Sequence, residues 1–334
     1  MNAQRRAFVI AEVGSVHDGS LGNALRLVDA GAEAGVDAVK FQTHIAEAET
    51  LPGAPAPAFF ESESRFDYFR RTGFTLAQWE RIKTHCESCG VEFMSSPFSA
   101  EAVDLLEGIG MRRFKVPSGE VTNIPLLEKI AALGKPVFLS SGMSSWDELD
   151  RAVGVVRQGG ADLTVLQCTS EYPCPPERVG LNVMLEMRAR YQTPVGLSDH
   201  TLSPYATLAA VALGASVIER HFTFSRLMYG SDARHSLEPS ELADLVRGVR
   251  EIELIHASDV DKDDLTPYGE MKRVFEKSIV TRQRVARGSV LTLDDVAIRK
   301  PGTGLAPSRL GEIIGRRAAR DLPVGIVLGE DDVV

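Results

Sequence analysis

Hydrophobic positions gather in eight short, nearly continuous runs: residues 8–12, 38–41, 91–94, 113–116, 137–139, 163–166, 195–197 and 217–218. The runs are rich in Val, Ile, Leu and Phe, the composition of strands buried on both faces of a parallel sheet. Between them the apolar residues take helical spacing. Residues 21–35 carry Leu25, Leu27, Val28 and Ala32 and end on a glycine, and 76–90 and 100–110 repeat that pattern. Gly134-Lys135-Pro136 closes a further helix, and Glu238-Pro239-Ser240-Glu241 opens a last one that runs to about residue 255. Eight such βα units predict an α/β fold of the (β/α)8 TIM-barrel type over residues 1–257. The competing doubly wound open sheet expects a G-x-G-x-x-G turn after the first strand. The chain has GSVHDG at 14–19, with the wrong glycine spacing.

The pattern changes beyond the barrel. Residues 258–274 are acidic and broken by Pro267 and Gly269, as a linker is. Residues 275–334 contain two similar pieces, GSVLTLDDV at 288–296 and GIVLGEDDV at 325–333, each a glycine turn, a short strand and an acidic helix start. A small, pseudo-symmetric, β-rich domain is expected there, with a core small enough to favour docking on a neighbour. One connection inside the barrel is long. It spans residues 43–73 with Pro52, Pro55, Pro57 and several aromatics, and long connections in compact domains tend to be functional.

Composition narrows the function. The chain has 334 residues and a net charge of -9, which disfavours nonspecific nucleic-acid binding. An anionic substrate therefore requires a local cluster of positive charge. No apolar run nears the ~18 residues that span a bilayer, so no membrane association is expected. Arg5-Arg6 precedes an apolar stretch too short for a secretion signal. The four cysteines are too few for a disulfide scaffold, and a reducing cytoplasm fits. Cys86 and Cys89 spell C-x-x-C late in a predicted helix; the pair is read as structural, with redox or zinc chemistry as the alternatives.

In a barrel the chemistry sits at the C-terminal strand ends, and here every end is polar. The ends present Glu12, Lys40 with Gln42, Ser96, Lys115 with Ser118 and Glu120, Ser140, Cys168 with Tyr172, Ser198 with His200, and Glu219 with His221. His200 and His221 end adjacent strands about 4.8 Å apart, within reach of one ion. His17 competes as a third ligand, because strand one closes against strand eight. Lys40 and Lys115, with Ser96, Ser118, Ser140 and Ser198 nearby, suit a phosphate and carboxylate cradle. A Schiff-base lysine or a structural ion pair are the other readings of the lysines. Glu12 is a candidate general acid or base.

These residues lie in the stretches AEVG (11–14), VKFQT (39–43), SPFS (96–99), KVPSGE (115–120), LSSGM (139–143), GLSDHT (196–201), ERHFT (219–223) and RKPGTG (299–304). Together they resemble the N-acetylneuraminate (sialic acid) synthase family, including its legionaminic and pseudaminic acid synthases. The tail resembles that family's antifreeze-like SAF domain, of the β-clip type. The resemblance implies condensation of phosphoenolpyruvate with an open-chain N-acetylhexosamine such as N-acetylmannosamine, or with a diacetamido-trideoxyhexose. It implies His200 and His221 as ligands of a divalent metal, usually Mn2+, with Mg2+ or Co2+ as alternatives. Lys40, Ser96, Lys115, Ser118, Ser140 and Ser198 would hold phosphoenolpyruvate; Gln42, Glu120, Tyr172, Asp232 and Lys300 would face the sugar. Glu12 matches the catalytic carboxylate. A homodimer is implied in which each tail covers its partner's barrel mouth. The chain departs from the family at Val16, where Asn is usual, and at Lys300, where Arg is usual. Lysine lacks the guanidinium's two-pronged fork. Outside this family, a Schiff-base aldolase and a non-catalytic sugar-binding protein are the competing classes.

Overall fold

The computed structural model describes residues 6–55 and 63–334; Arg5 and Pro57 lie outside the described residues. The chain divides into two compact units, Met1–Ser258 and Asp259–Val334.

The first unit alternates eight parallel strands with helices. The strands are β1 (Phe8–Gly14), β2 (Ala38–Thr43), β3 (Glu92–Pro97), β4 (Phe114–Val116), β5 (Val137–Ser140), β6 (Leu163–Cys168), β7 (Val195–Asp199) and β8 (Val217–His221). They are ordered β3-β2-β1-β8-β7-β6-β5-β4, and β4 packs against β3 to complete the ring of a TIM barrel. All eight apolar runs are strands. Most strands run past the last apolar residue, because backbone pairing continues through the polar residues at the mouth. The helices are α1 (Leu21–Glu33), α2 (Ala46–Glu49), α3 (Arg65–Thr72), α4 (Leu76–Ser88), α5 (Ala100–Gly108), α6 (Ile124–Ala131), α7 (Trp146–Gln158), α8 (Leu181–Tyr191), α9 (Tyr205–Ala212) and α10 (Pro239–Ala257). Ser20, Thr75, Ser99 and Ser145 cap α1, α4, α5 and α7 by accepting from a backbone N–H in the first turn. Among the described residues no helix is long and apolar enough to cross a membrane.

Alternation along the strands sorts side chains into two shells. One parity faces the helices: Ala11, Val39, Phe93, Phe114, Leu139, Val165, Leu197 and Ile218 join the large core packed against fully buried Leu27, Ile82, Leu106 and Leu127. Burial of each of the Val, Leu, Ile and Phe side chains among them contributes roughly 1.5–3 kcal/mol. The other parity faces the barrel interior. Its lower layer is apolar: Ile10, Ala38, Met94, Phe138, Leu166 and Val217, with Phe8 against them. Two residues further along the same strands this parity turns polar: Glu12, Lys40, Ser96, Ser140, Cys168 and Glu219, every one buried. The charged layer therefore rests on an apolar plug.

The long 43–73 connection is partly helical, holding α2 and α3. His44 within it stacks between Phe69 and Phe98, with ring centroids at 3.5 and 4.1 Å.

The second unit holds α11 (Gly269–Phe275), α12 (Leu310–Ile313) and the antiparallel pair β9 (Ser278–Thr281) and β10 (Val296–Arg299). Helix α11 falls where the sequence predicts a linker. The two similar pieces share one local design. Thr292 N donates to Asp295 at 2.8 Å, and Gly329 N donates to Asp332 at 2.9 Å. Leu291 and Leu328, at matching positions, share the unit's own core with Val296 and Val333.

Candidate functional site

Strand register fixes the site. Glu12 on β1 stands beside Lys40 on β2 and His221 on β8, and Ser198 on β7 stands beside Glu219 on β8. Two ammonium and two carboxylate groups interlock at the barrel centre. Lys40 Nζ lies 2.7 Å from Glu12 Oε2 and 3.5 Å from Glu219 Oε2, and Lys115 Nζ lies 3.3 Å from Glu219 Oε1. Lys40 donates to Ser96 Oγ at 3.1 Å, Lys115 to Ser140 Oγ at 2.7 Å, and Ser198 Oγ to Glu219 Oε1 at 2.8 Å. Both glutamates are buried, and the Oε2 atom of each faces the Lys40 ammonium.

The two carboxylates differ. Burial pushes Glu12 up to about 7, against the pull of Lys40. Burial also acts on Glu219, but Lys115 and Lys40 together hold it well below the carboxylate range. Glu12 is thus the group able to exchange a proton near neutrality. Gln42 Nε2 donates to Glu12 Oε1 at 2.8 Å, and Gln42 Oε1 lies 3.1 Å from His44 Nε2, tying the long connection to this carboxylate.

His200 and His221 meet at the other side of the mouth, with ring centroids 5.3 Å apart. His200 Nδ1 donates to the Thr169 carbonyl at 2.9 Å; burial disfavours its charged form, but its contact with Cys168 raises it above the ordinary imidazole value. His221 is buried, its Nδ1 has no hydrogen-bond partner among the described residues, and burial lowers it to about 4, so it is neutral. Two imidazoles at the ends of adjacent strands, one of them neutral with an orphaned nitrogen, fit a divalent ion. Tyr172 packs on both, at 4.2 Å from His200 and 5.9 Å from His221. Asp232 comes close because Gly14, at φ 56°, has no side chain; a Cβ there would sit 2.4 Å from Asp232 Oδ2.

Other expected residues lie apart from the charged quartet. Ser118 accepts from Gly142 N at 3.1 Å and donates to Cys168 Sγ at 3.4 Å. Glu120 is half-buried and accepts from Asn123 at 2.7 Å. Lys300 belongs to the second unit, its ammonium 5.0 Å from the Phe275 ring centre. His17 is not brought to the histidine pair. It packs on Phe74 at 4.5 Å, its Nδ1 accepts from Gly19 N, and burial lowers it to about 4. The short turn after β1 directs it toward the helices rather than the mouth. Cys86 is buried in the core while Cys89 faces α1, so they do not pair; all four cysteines are free. Asp29, His85 and Cys89, on α1 and α4, form a group compatible with a divalent ion. Glu219 and Cys168 stand among the polar strand ends in the sequence but receive no role from it, and His44 is not singled out there. The shared parity of Glu219 with His221 was the available signal for the first.

The NeuB family model matches residues 27–261, and the SAF domain model matches residues 276–334. The chain belongs to the NeuB family. It is 34% identical over 325 residues to N,N'-diacetyllegionaminic acid synthase of Campylobacter jejuni, covering 95% of this chain and 97% of that one. It is 33% identical to human N-acetylneuraminate-9-phosphate synthase, covering 100% and 93%. Its fold matches the crystal structure of N-acetylneuraminic acid (sialic acid) synthetase from Leptospira borgpetersenii with a TM-score of 0.71 and 30% identity, over 80% of this chain and 91% of that one. This NeuB-family chain is thus similar to synthases of sialic-acid-type sugars and is an enzyme of that type.

Proposed function

We propose that this protein condenses phosphoenolpyruvate with the aldehyde of an open-chain N-acetylated amino sugar, adds water and releases phosphate, yielding a sialic-acid-type sugar. The observation that supports it is the convergence of buried Lys40 and Lys115 on one carboxylate, beside the His200–His221 pair. Lys40 and Lys115 hold the anion, with Ser96, Ser118, Ser140 and Ser198 as hydroxyl partners, which keeps its C3 carbon facing the aldehyde. Glu12 holds or releases the proton that water addition requires, and Gln42 orients it. Gln42, Glu120, Tyr172, Asp232 and Lys300 contact the sugar. His200 and His221 would hold the divalent ion, which supplies Lewis-acid polarisation of a carbonyl oxygen. The enzyme works in the cytoplasm as a homodimer in which the second unit of one chain covers the mouth of the other.

The test is an acceptor screen read by phosphate release. It includes N-acetylmannosamine, its 6-phosphate and diacetamido-trideoxyhexoses, the last because relatives carry the name legionaminic acid synthase. One acceptor consumed stoichiometrically with phosphoenolpyruvate is expected. Activity should vanish on chelation, return with Mn2+, and be absent in His200→Ala and His221→Ala. Trapping by borohydride with pyruvate, with no effect of chelator, would instead establish a Schiff-base aldolase.

A further inference from the structure

On the outer wall of the barrel, away from the strand ends, Asp29 of α1 faces His85 and Cys89 at the C-terminal end of α4. His85 and Cys89 are four residues apart and share one helical face. Their ligand atoms converge on Asp29: His85 Nε2 lies 2.6 Å and Cys89 Sγ 3.6 Å from Asp29 Oδ1, and Cys89 Sγ lies 3.7 Å from His85 Nε2. Arg26 holds the other Asp29 oxygen, Oδ2, at 2.8 Å, which turns Oδ1 toward the pair. A carboxylate held from behind in this way is the usual support of a metal ligand.

The spacing suits a tetrahedral ion. Ideal zinc bond lengths place sulfur about 3.6 Å from both the nitrogen and the oxygen, and nitrogen about 3.4 Å from oxygen. The two edges to sulfur already have that length. Only the histidine–aspartate edge is short, because those two groups hydrogen-bond to each other in place of an ion. The side chains of Asp29 and His85 are 26% and 29% exposed, so a fourth position is open to water. One thiolate, one imidazole and one carboxylate select a borderline ion over Mg2+, Ca2+ or Mn2+.

We propose that Asp29, His85 and Cys89 form a second, zinc-type site that clips α1 to α4, independent of the histidine pair in the mouth. An ion there exchanges water for three side chains from two neighbouring helices, keeps water at the fourth position, and the Cys89 thiol gives up its proton to solvent on binding. It stabilises the folded state by linkage and has no part in turnover.

The metal-stripped full chain is titrated with Zn2+ and, separately, with Co2+, whose thiolate charge-transfer absorption reports a sulfur ligand. One Zn2+ equivalent should persist in the double variant His200→Ala/His221→Ala. Cys89→Ala and His85→Ala should each weaken that equivalent by more than ~10-fold, since even an outer-shell partner is worth roughly 10–100-fold. The cobalt absorption should survive Cys168→Ala and disappear in Cys89→Ala. A measurement without any variant accompanies it: Zn2+ should slow alkylation of Cys89, mapped by mass spectrometry, in proportion to occupancy. Unchanged alkylation of Cys89 at saturating Zn2+, or a cobalt absorption that depends on Cys168 and not on Cys89, overturns the proposal.

Discussion

Lys115 Nζ stands 3.3 Å from Glu219 Oε1, both side chains buried at the floor of the barrel mouth. Breaking such a pair strands an uncompensated charge, at about 3–5 kcal/mol. Lys115→Met should therefore destabilise the chain by about that amount, whereas Lys115→Met/Glu219→Gln should recover much of the loss without recovering activity. Guanidinium unfolding measures the first and phosphate release the second. A Lys115→Met chain as stable as the wild type would show that the pair is not coupled.

The mouth carries two ammonium groups and two carboxylates, so its formal charge is zero when all four are ionised. Protonating Glu12 makes it positive, and burial already holds Glu12 up to about 7. An incoming phosphoenolpyruvate anion raises it further. Just above neutrality its binding should take up a fraction of one proton, and Glu12→Gln should abolish the uptake. Calorimetry in buffers of different ionisation enthalpy gives the proton count; equal uptake in both proteins would assign the proton elsewhere.

His17 titrates at about 4 in the folded chain against a reference of 6.5. Between those values the unfolded chain binds a proton that the folded chain refuses, so stability falls as pH drops through that window. The slope is about 1.4 kcal/mol per pH unit. Above 6.5 the imidazole is neutral in both states and the penalty is absent. His17→Gln should flatten this acid slope whatever it does to stability at pH 7. Urea midpoints at several pH values test it, and parallel slopes would contradict the burial of a neutral imidazole.

The second unit buries a core of its own, including Ile279, Leu291, Leu305, Ile313 and Leu328. Ending the chain before about Phe275 should leave a barrel that melts cooperatively by circular dichroism but turns over little. Mixing Lys300→Ala with His200→Ala chains should restore activity if each tail serves the partner's barrel, since one mouth in each heterodimer then has both parts intact. With exchange of subunits demonstrated, no recovery would exclude the swapped arrangement.

Much of this was legible in the order of residues. A strand buried on both faces needs an unbroken apolar run, and the eight runs appear as eight strands. The apolar runs stop short of the strand ends, because pairing in β6 and β8 continues through polar residues to Cys168 and His221. Helices α2 and α3 carry no long apolar period, being short and charged; His44 stacking on Phe98, the Tyr68–Ser15 hydrogen bond and the Arg71–Asp18 ion pair hold that segment. That polar residues end every strand was likewise readable from one dimension. Which of them share a charge was not. Lys40 and Lys115 meet at Glu219 only because the sheet curves through a full turn, bringing strands two and four to face strand eight. His17 shows the converse, for adjacency of β1 and β8 does not determine where the turn after β1 points. Alternation decides which side of a strand a residue occupies; closure of the barrel decides its neighbours, and with them its charge state.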